Sequence, residues 1–317
     1  MPRPIMLAVV GDSAAGKTTL THGIARLLGP ERVVTICSDD YHKYNRKQRK
    51  ELGISALHPD CNYIDLMEQH TRLLRNNEPI LKPIYNHSTG DFDPPEYIRP
   101  APFIITDGLL ALYSPGLRNH FDVKVYLDPP EELRHKWKIK RDTSKRGYTP
   151  EQVIASLQKR EYDSATFIRP QRDQADIVVR FHPPAEAREE TGAYLNVRLT
   201  LRSTLAHPDL SGIVKAANGN QPPVRLEIGR EQGRLAEFMD IDGTIDNATA
   251  SRVEQTIWGY LKDDLALVGA LEPEGVGQYQ DGVVERCSHP LALTQLLIAY
   301  QLISAKARIR REHVLTP

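Results

Sequence analysis

The sequence lacks most of what would place it outside the ordinary soluble enzymes. Cysteine occurs only three times in 317 residues, at Cys37, Cys61 and Cys287. That is too few and too scattered for a disulfide framework or a zinc site. There is no excess of charge of either sign, with 41 Lys plus Arg against 41 Asp plus Glu. Net charge therefore gives no reason to expect a nucleic acid or an anionic membrane, and any phosphate-binding surface must be a local cluster. No apolar run approaches the roughly 20 residues needed to span a bilayer. The apolar run at residues 4–10, PIMLAVV, leads directly into a glycine-rich turn and reads as a buried strand rather than a signal peptide. There is no repeat and no low-complexity segment. A cytoplasmic protein without membrane or nucleic-acid partners is expected.

What is present is a phosphate-binding loop. Gly11, Asp12, Ser13, Ala14, Ala15, Gly16, Lys17 and Thr18, followed by Thr19, fit G-x-x-x-x-G-K-[ST] without mismatch. The glycines let backbone N–H groups turn toward phosphates, Lys17 supplies a cation and Thr18 a hydroxyl for magnesium. The context is the required one, with a strand at Ile5–Val10 before the loop and a helix at Lys17–Leu28 after it. Further strands are expected at Val33–Cys37, Phe103–Ile105, Val123–Leu127 and Ala175–Phe181. Helices are expected at Asp65–Asn76, Glu131–Arg141 and Pro150–Arg160, the last with Thr149 as N-cap. This alternation predicts an α/β fold of the P-loop NTPase type, resembling nucleoside-monophosphate kinases, with a mostly parallel sheet flanked by helices.

After about residue 183 the pattern changes to alternating runs at Leu195–Leu201, Val224–Ile228 and Ala236–Ile241, which predict added antiparallel strands. A turn is expected at Asn218–Pro223, and helices at Ala248–Leu267 and Pro290–Ala307. Residues 1–183 read as a P-loop kinase core. Residues 184–317 read as a strand-rich extension with C-terminal helices, within the same globular unit.

Several charged residues have positions suited to phosphoryl transfer. Asp39 and Asp40 follow the second strand, on the edge where ligands bind in such sheets. A basic stretch, Lys43, Arg46, Lys47, Arg49 and Lys50, comes directly after them and suits an anionic second substrate. Asp107 ends the third strand, where P-loop enzymes place a second magnesium contact. Lys138, Arg141, Asp142 and Arg146 fall on one helix end and the loop beyond, as a cationic lid would. Tyr85, Asn86 and His87 are expected in a loop between Pro83 and Pro94-Pro95.

The chain resembles the phosphoribulokinases, within the superfamily that also holds the uridine kinases. The resemblance is carried by GDSAAGKTT, CSDDYHKYNRKQRKELGISALHPDCNYIDLM, KPIYNHSTGDFDPPE, WKIKRD, RPQRDQADIVV and EFMDIDGTID. KPIYNHSTG with DPPE is the most specific segment, because uridine kinases carry a different loop there. The similarity is to the larger form found in plants, cyanobacteria and archaea. It implies phosphorylation of ribulose 5-phosphate by magnesium-ATP in a Calvin-cycle-type reaction, with Asp39 as general base. It implies catalytic roles for Lys17, Lys138 and Arg141, and a sugar-phosphate site of His42, Arg46, Arg49, Lys50, Tyr85, His87 and Arg146. Thr18, Asp107 and Asp142 fall at metal-site positions, and Asp107 stands where the family usually has glutamate. Lys159 and Arg160 match a basic pair. A homodimer is implied.

Two departures matter. Ala15 occupies the position of the regulatory P-loop cysteine of plant enzymes, so thiol switching by that route is not expected, although Cys37 stands as a candidate reactive thiol near the nucleotide. No closely spaced cysteine pair occurs near the C-terminus, so a complex with a regulatory protein is not expected. Two other readings stay open from the residues alone, a nucleoside kinase of the uridine kinase type and a non-catalytic P-loop module. The basic cluster argues against the first and the three aspartates against the second.

Overall fold

The computed structural model describes residues 2–184, 194–217, 219, 222–272, 274–281 and 284–315. The chain forms two compact units, one of Arg3–Lys17 with Val34–Ala175 and one of Thr18–Val33 with Asp176–Pro317. In chain order the elements of the first stretch are β1 (Ile5–Gly11), α1 (Lys17–Leu28), β2 (Val33–Cys37), α2 (Arg46–Leu52), α3 (Ile64–Arg75), β3 (Ile80–Asn86), β4 (Asp91–Ile98), β5 (Phe103–Gly108), α4 (Pro115–Arg118), β6 (Val123–Leu127), α5 (Glu131–Arg146) and α6 (Pro150–Asp163).

The first unit is built on strands in the order β2-β5-β1-β6. β1 lies parallel to β5 and to β6. Both β1 and β5 are buried along their whole length, as expected of inner parallel strands covered on both faces. Register does the positioning. Val9 pairs with Asp107 and Gly11 with Leu127, so the P-loop and Asp107 leave the sheet at the same edge. The Ser38 hydroxyl accepts from the Leu109 N–H at 3.0 Å, which ties the end of β2 to the end of β5.

The second unit contains β7 (Ile177–His182), β8 (Asn196–Arg202), α7 (Leu210–Ala216), β9 (Val224–Glu231), β10 (Arg234–Ile241), α8 (Asn247–Val268), β11 (Gln278–Asp281), β12 (Val284–Cys287) and α9 (His289–Leu315). β7-β8-β10-β9 pair antiparallel throughout. The predicted stripe of α8, Val253, Ile257 and Leu261, is buried. Most of α1 belongs to this unit. Gly23 on α1 leaves room for Gln295 of α9, whose Nε2 donates to the Thr19 carbonyl at 3.2 Å.

The α/β class with its added antiparallel strands holds. Three local expectations need correction. The segment around Tyr85 is not a loop but a β3–β4 hairpin. Its prolines are tolerated because the ribbon has only two strands and the register shifts between Lys82 and Ile84, beside Pro83. The helix expected to end at Arg141 continues to Arg146, where Gly147 adopts the left-handed C-cap at φ 71°. The C-terminal helix likewise runs beyond Ala307. Of the turn expected at Asn218–Pro223, Asn218, Asn220 and Gln221 lie outside the described residues. Among the described residues no helix is long and apolar enough to cross a membrane.

Gly108 follows Asp107 at φ 151°, and a Cβ there would come within 1.6 Å of the Ser38 hydroxyl. Gly108→Ala is therefore expected to destabilise the protein by at least about 2 kcal/mol, since it combines a strained backbone with a clash against a buried side chain. Chemical denaturation of variant and parent would check this.

Candidate active site

The P-loop begins where β1 ends, and Ala14 (φ 67°) and Gly16 (φ 94°) turn the chain back on itself. Lys17 folds over the loop, and its Nζ donates to the carbonyls of Gly11 at 2.8 Å and Asp12 at 2.9 Å. Burial draws this ammonium below the usual lysine range, against the pull of Asp39, Asp107 and Asp12. Thr18 and Thr19 follow in the first turn of α1.

Asp39 and Asp40 lie in a short 3₁₀ turn after β2 and are used differently. Asp40 is structural. Its Oδ2 takes the Lys82 ammonium and its Oδ1 accepts the Tyr85 N–H at 3.0 Å, so it fastens the β3–β4 hairpin. Asp39 keeps its carboxylate available, with His87 Nε2 at 3.5 Å. Burial pushes the Asp39 carboxyl up, but His42, His87, Lys17 and Arg146 together hold it below the usual aspartate range. It is ionised at neutral pH, as a general base must be.

The predicted sugar-phosphate residues are largely brought together. His42 is buried, takes Asn62 Oδ1 at 2.7 Å on its Nδ1, and packs edge-on against Tyr85 at 4.9 Å. Tyr85 meets His87 at 5.1 Å, and the Arg49 guanidinium lies over its ring at 4.8 Å. Asn45 and Gln48 form a capping box that starts α2. Arg46, Arg49 and Lys50 then share one helix face. Arg46 donates to the His87 carbonyl. Lys50 is exposed.

The lid cations converge on one buried carboxylate. Asp142 takes Lys138 Nζ at 2.9 Å, Arg141 Nε at 2.8 Å and Arg146 Nη1 at 3.4 Å. In this arrangement Asp142 serves as their counter-ion. Lys138 and Arg141 also reach the Ser13 hydroxyl of the P-loop, at 3.5 and 3.4 Å. Burial pulls Lys138 down to about 8 even with Asp142 beside it.

Two residues that bear on the loop were not singled out in the sequence. Arg134 is buried, donates to the Ser13 carbonyl at 3.2 Å and lies 3.6 Å from Asp12. Ser164 donates to the other Asp12 oxygen. Asp12, which also accepts the Ser13 N–H at 2.6 Å, thus braces the loop. Arg134 precedes Lys138 and Arg141 at helical spacing, and that stripe was the available signal. The surroundings of Cys37 oppose the reactivity expected of its thiol. Burial, Asp39 and Asp107 all push its thiol well up, away from the thiolate a nucleophile needs.

Asp107 is a buried acid at the end of β5. Burial pushes it up to about 6, with Asp39 and Asp40 adding to the shift and Lys17 opposing it. Among the described residues no three His, Cys, Asp or Glu side chains gather as a complete metal site. A desolvated carboxylate near two others instead suits a hard cation that arrives with phosphate oxygens as its remaining ligands.

Residues 6–187 match the family described as Phosphoribulokinase / Uridine kinase, so the chain belongs to that family. It is 40% identical over 199 residues to the phosphoribulokinase of Synechocystis sp., a match covering 63% of this chain and 60% of that protein. It is 34% identical over 218 residues to the chloroplastic phosphoribulokinase of Triticum aestivum, covering 63% and 54%. The matches thus span less than two thirds of these relatives' own lengths. A uridine kinase of Lactobacillus helveticus is 30% identical over 186 residues, covering 56% of this chain and 87% of that protein. In fold the chain is similar to the solved phosphoribulokinase from Rhodobacter spheroides. That structure has a TM-score of 0.61 and 20% identity, covering 84% of this chain and 99% of that one.

The raised Asp107 carboxyl has a thermodynamic sign. The folded state holds this proton up to about pH 6, whereas an ordinary aspartate loses it near 3.8. Stability from this group is therefore fully present below the lower value and is lost as pH rises through the higher one. Asp107→Asn, studied in EDTA, is expected to match the parent near pH 4 and to exceed it at pH 7.5 by up to about 3 kcal/mol. Denaturation curves across that range would check it.

Proposed function

We propose that this member of the phosphoribulokinase/uridine kinase family transfers the γ-phosphoryl group of ATP to the C1 hydroxyl of D-ribulose 5-phosphate. The products are ribulose 1,5-bisphosphate and ADP. The observation that carries this reading is the setting of Asp39. It is an ionised carboxylate next to the P-loop lysine, and the cationic and aromatic groups His42, His87 and Arg146 act on it.

Asp39 would accept the hydroxyl proton as the new bond to phosphorus forms. Lys17 and the loop's N–H groups would hold the nucleotide phosphates. Lys138 and Arg141, already at the loop through Ser13, would neutralise charge on the transferring group. His42, Arg46, Arg49, Lys50, Tyr85, His87 and Arg146 would bind the sugar phosphate. Asp107 would hold the magnesium that enters with ATP, and Thr18, next to Lys17 in the motif, would offer it a hydroxyl; the ion would supply charge neutralisation at the phosphates. The resemblance extends this reading to a cytoplasmic homodimer.

The uridine kinase likeness supports a second reading, in which the acceptor is a neutral nucleoside. The basic face of α2 opposes it, because a nucleoside has no phosphate for those side chains to hold. A coupled ADP-release assay with magnesium-ATP, run in parallel with ribulose 5-phosphate and uridine, separates the two. Release that depends on ribulose 5-phosphate is expected, and release with uridine alone would reverse the assignment. Asp39→Asn is expected to lower turnover by about 10²- to 10⁴-fold with ATP binding little changed. Steady-state kinetics and calorimetry check this, and a turnover within about threefold of the parent would remove Asp39 from the role of base.

A further inference from the structure

An acidic side chain inside a phosphate-binding loop works against the loop. Asp12 is its second residue and is only 6% exposed, and its carboxylate repels the anion that the loop is built to hold. Burying that charge without partners would add a further cost. The fold answers both. Asp12 Oδ1 accepts the Ser13 N–H at 2.6 Å and lies 3.6 Å from Arg134 Nη1. Asp12 Oδ2 accepts the Ser164 hydroxyl. Arg134 and Ser164 are themselves buried, so solvent screens neither contact.

Both partners are held independently of the loop. Arg134 is the fourth residue of α5, and its Nε and Nη2 donate to the two oxygens of Glu131, three positions earlier. That pairing leaves Nη1 for the loop, where it also donates to the Ser13 carbonyl at 3.2 Å. Ser164 opens a π-turn, Ser164–Ile168, at the end of α6, and its carbonyl accepts the Arg169 N–H. Among the described residues of α6 only Val153 is buried, whereas Ser164 and Ile168 are both buried in the π-turn that follows. Turns of this kind recur at functional sites. What the carboxylate steadies is backbone. The Asp12 carbonyl accepts the Ala15 N–H at 3.1 Å and the Lys17 ammonium at 2.9 Å. Between Asp12 and Ala15, Ala14 is held at φ 67°, a left-handed conformation that a residue with a Cβ keeps only when its surroundings enforce it. Asp12 is thus fixed through its carboxylate by α5 and the π-turn, and through its carbonyl by the loop and Lys17. A loop set in this way loses little conformational freedom when phosphates arrive.

We propose that Arg134 and Ser164 are positioning residues for the nucleotide, which hold and neutralise the Asp12 carboxylate and thereby keep the P-loop in its phosphate-binding shape. This rests on the reading of the loop as the nucleotide site, and not on the identity of the acceptor. Arg134 carries the charge part of the role and Ser164 the geometric part. Without Arg134 the Asp12 carboxylate stands as an uncompensated anion in a loop that receives phosphates. Loss of Arg134 is therefore harmful only while residue 12 is charged.

Calorimetry of the full chain with magnesium-ADP tests this without any acceptor. Arg134→Gln is expected to weaken ADP binding about 10- to 100-fold, the effect of orphaning one buried charge. Asp12→Asn added to that variant is expected to bring affinity back to within about fivefold of the parent, because it removes the orphaned charge while its amide oxygen still accepts the Ser13 N–H. Ser164→Ala is expected to weaken binding about three- to tenfold, and Ser164→Thr, which keeps the hydroxyl, to recover part of that loss. A small polar cavity lined by Asp12, Ser13, Arg134, Lys138 and Ser164 adjoins this hydroxyl, so the alanine enlarges an existing space and does not disturb a packed core. With ribulose 5-phosphate as acceptor, the KM for ATP should rise in Ser164→Ala while the KM for the acceptor stays within about twofold. A merely structural role would raise both KM values together, and Asp12→Asn would not reverse the loss. A loss in Arg134→Gln that persists in the double variant would overturn the proposal in favour of direct contact between Arg134 and the nucleotide. ADP affinity within about twofold of the parent in both single variants would overturn it outright. Should Arg134→Gln fail to fold, Ser164→Ala and its threonine rescue decide alone. If the parent binds ADP but releases none with ribulose 5-phosphate, the reading of the function fails and the calorimetry still judges Arg134 and Ser164. A parent that binds no ADP overturns the proposal together with the nucleotide site.

Discussion

The site depends on one buried carboxylate gathering cations before any substrate arrives. Lys138, Arg141 and Arg146 come from a single helix end and all touch Asp142. Like charges about 4 Å apart near a protein surface repel by about 4 kcal/mol, so the three could not share this volume without a counter-ion. Asp142 supplies it and still leaves two positive charges in excess, three cations against one carboxylate. Burial draws Lys138 down to about 8 against the pull of Asp142, and Arg141 adds to the shift. The helix end is thus folded in a state that favours an incoming anion. Asp142 also stops short of saturating the cations, since Lys138 and Arg141 reach the Ser13 hydroxyl only at 3.5 and 3.4 Å. Bonds that long are weak and leave the donors available to phosphate oxygens.

The adjacent carboxylates Asp39 and Asp40 show how neighbouring, identical side chains are assigned different work. Asp40 is saturated by Lys82 and the Tyr85 N–H, which fixes the hairpin bearing Tyr85 and His87. That hairpin in turn brings His87 to Asp39. The placing of His87 beside Asp39 therefore depends on Asp40 through the hairpin. Sequence alone could not rank the two, because both follow the same strand and both suit a turn.

Legibility followed sequence distance. The P-loop could be read because strand, turn and helix are contiguous and each residue type has a local reason to be there. The same holds for the start of α6, where Thr149, Pro150 and Gln152 form the expected cap. The brace on the loop could not be read. Arg134 reaches Ser13 across 121 positions and Ser164 reaches Asp12 across 152, and neither contact has a local signature. The β3–β4 hairpin was hidden by its prolines, which ordinarily argue against a strand and are accommodated here by a register shift in an isolated ribbon. Cys37 is the same lesson in electrostatics. Proximity to a nucleotide loop suggested reactivity, but Asp39 and Asp107, brought beside it by the fold, act in the opposite direction.

Charge is separated across the site, and that separation constrains the ligands. On one side two carboxylates, Asp39 and Asp107, lie in the field of Lys17, and burial, with Asp39 adding to it, pushes Asp107 up to about 6. On the other, the three cations on Asp142 leave two positive charges in excess. A neutral acceptor would leave both sides without a partner. An acceptor with a hydroxyl at one end and a phosphate at the other, met by a nucleotide whose phosphates carry a divalent cation, would offset both at once. The hydroxyl end would lie against Asp39 and the cation against Asp107. This pairing of opposite charges, more than any one residue, supports the proposed phosphorylated sugar over a nucleoside.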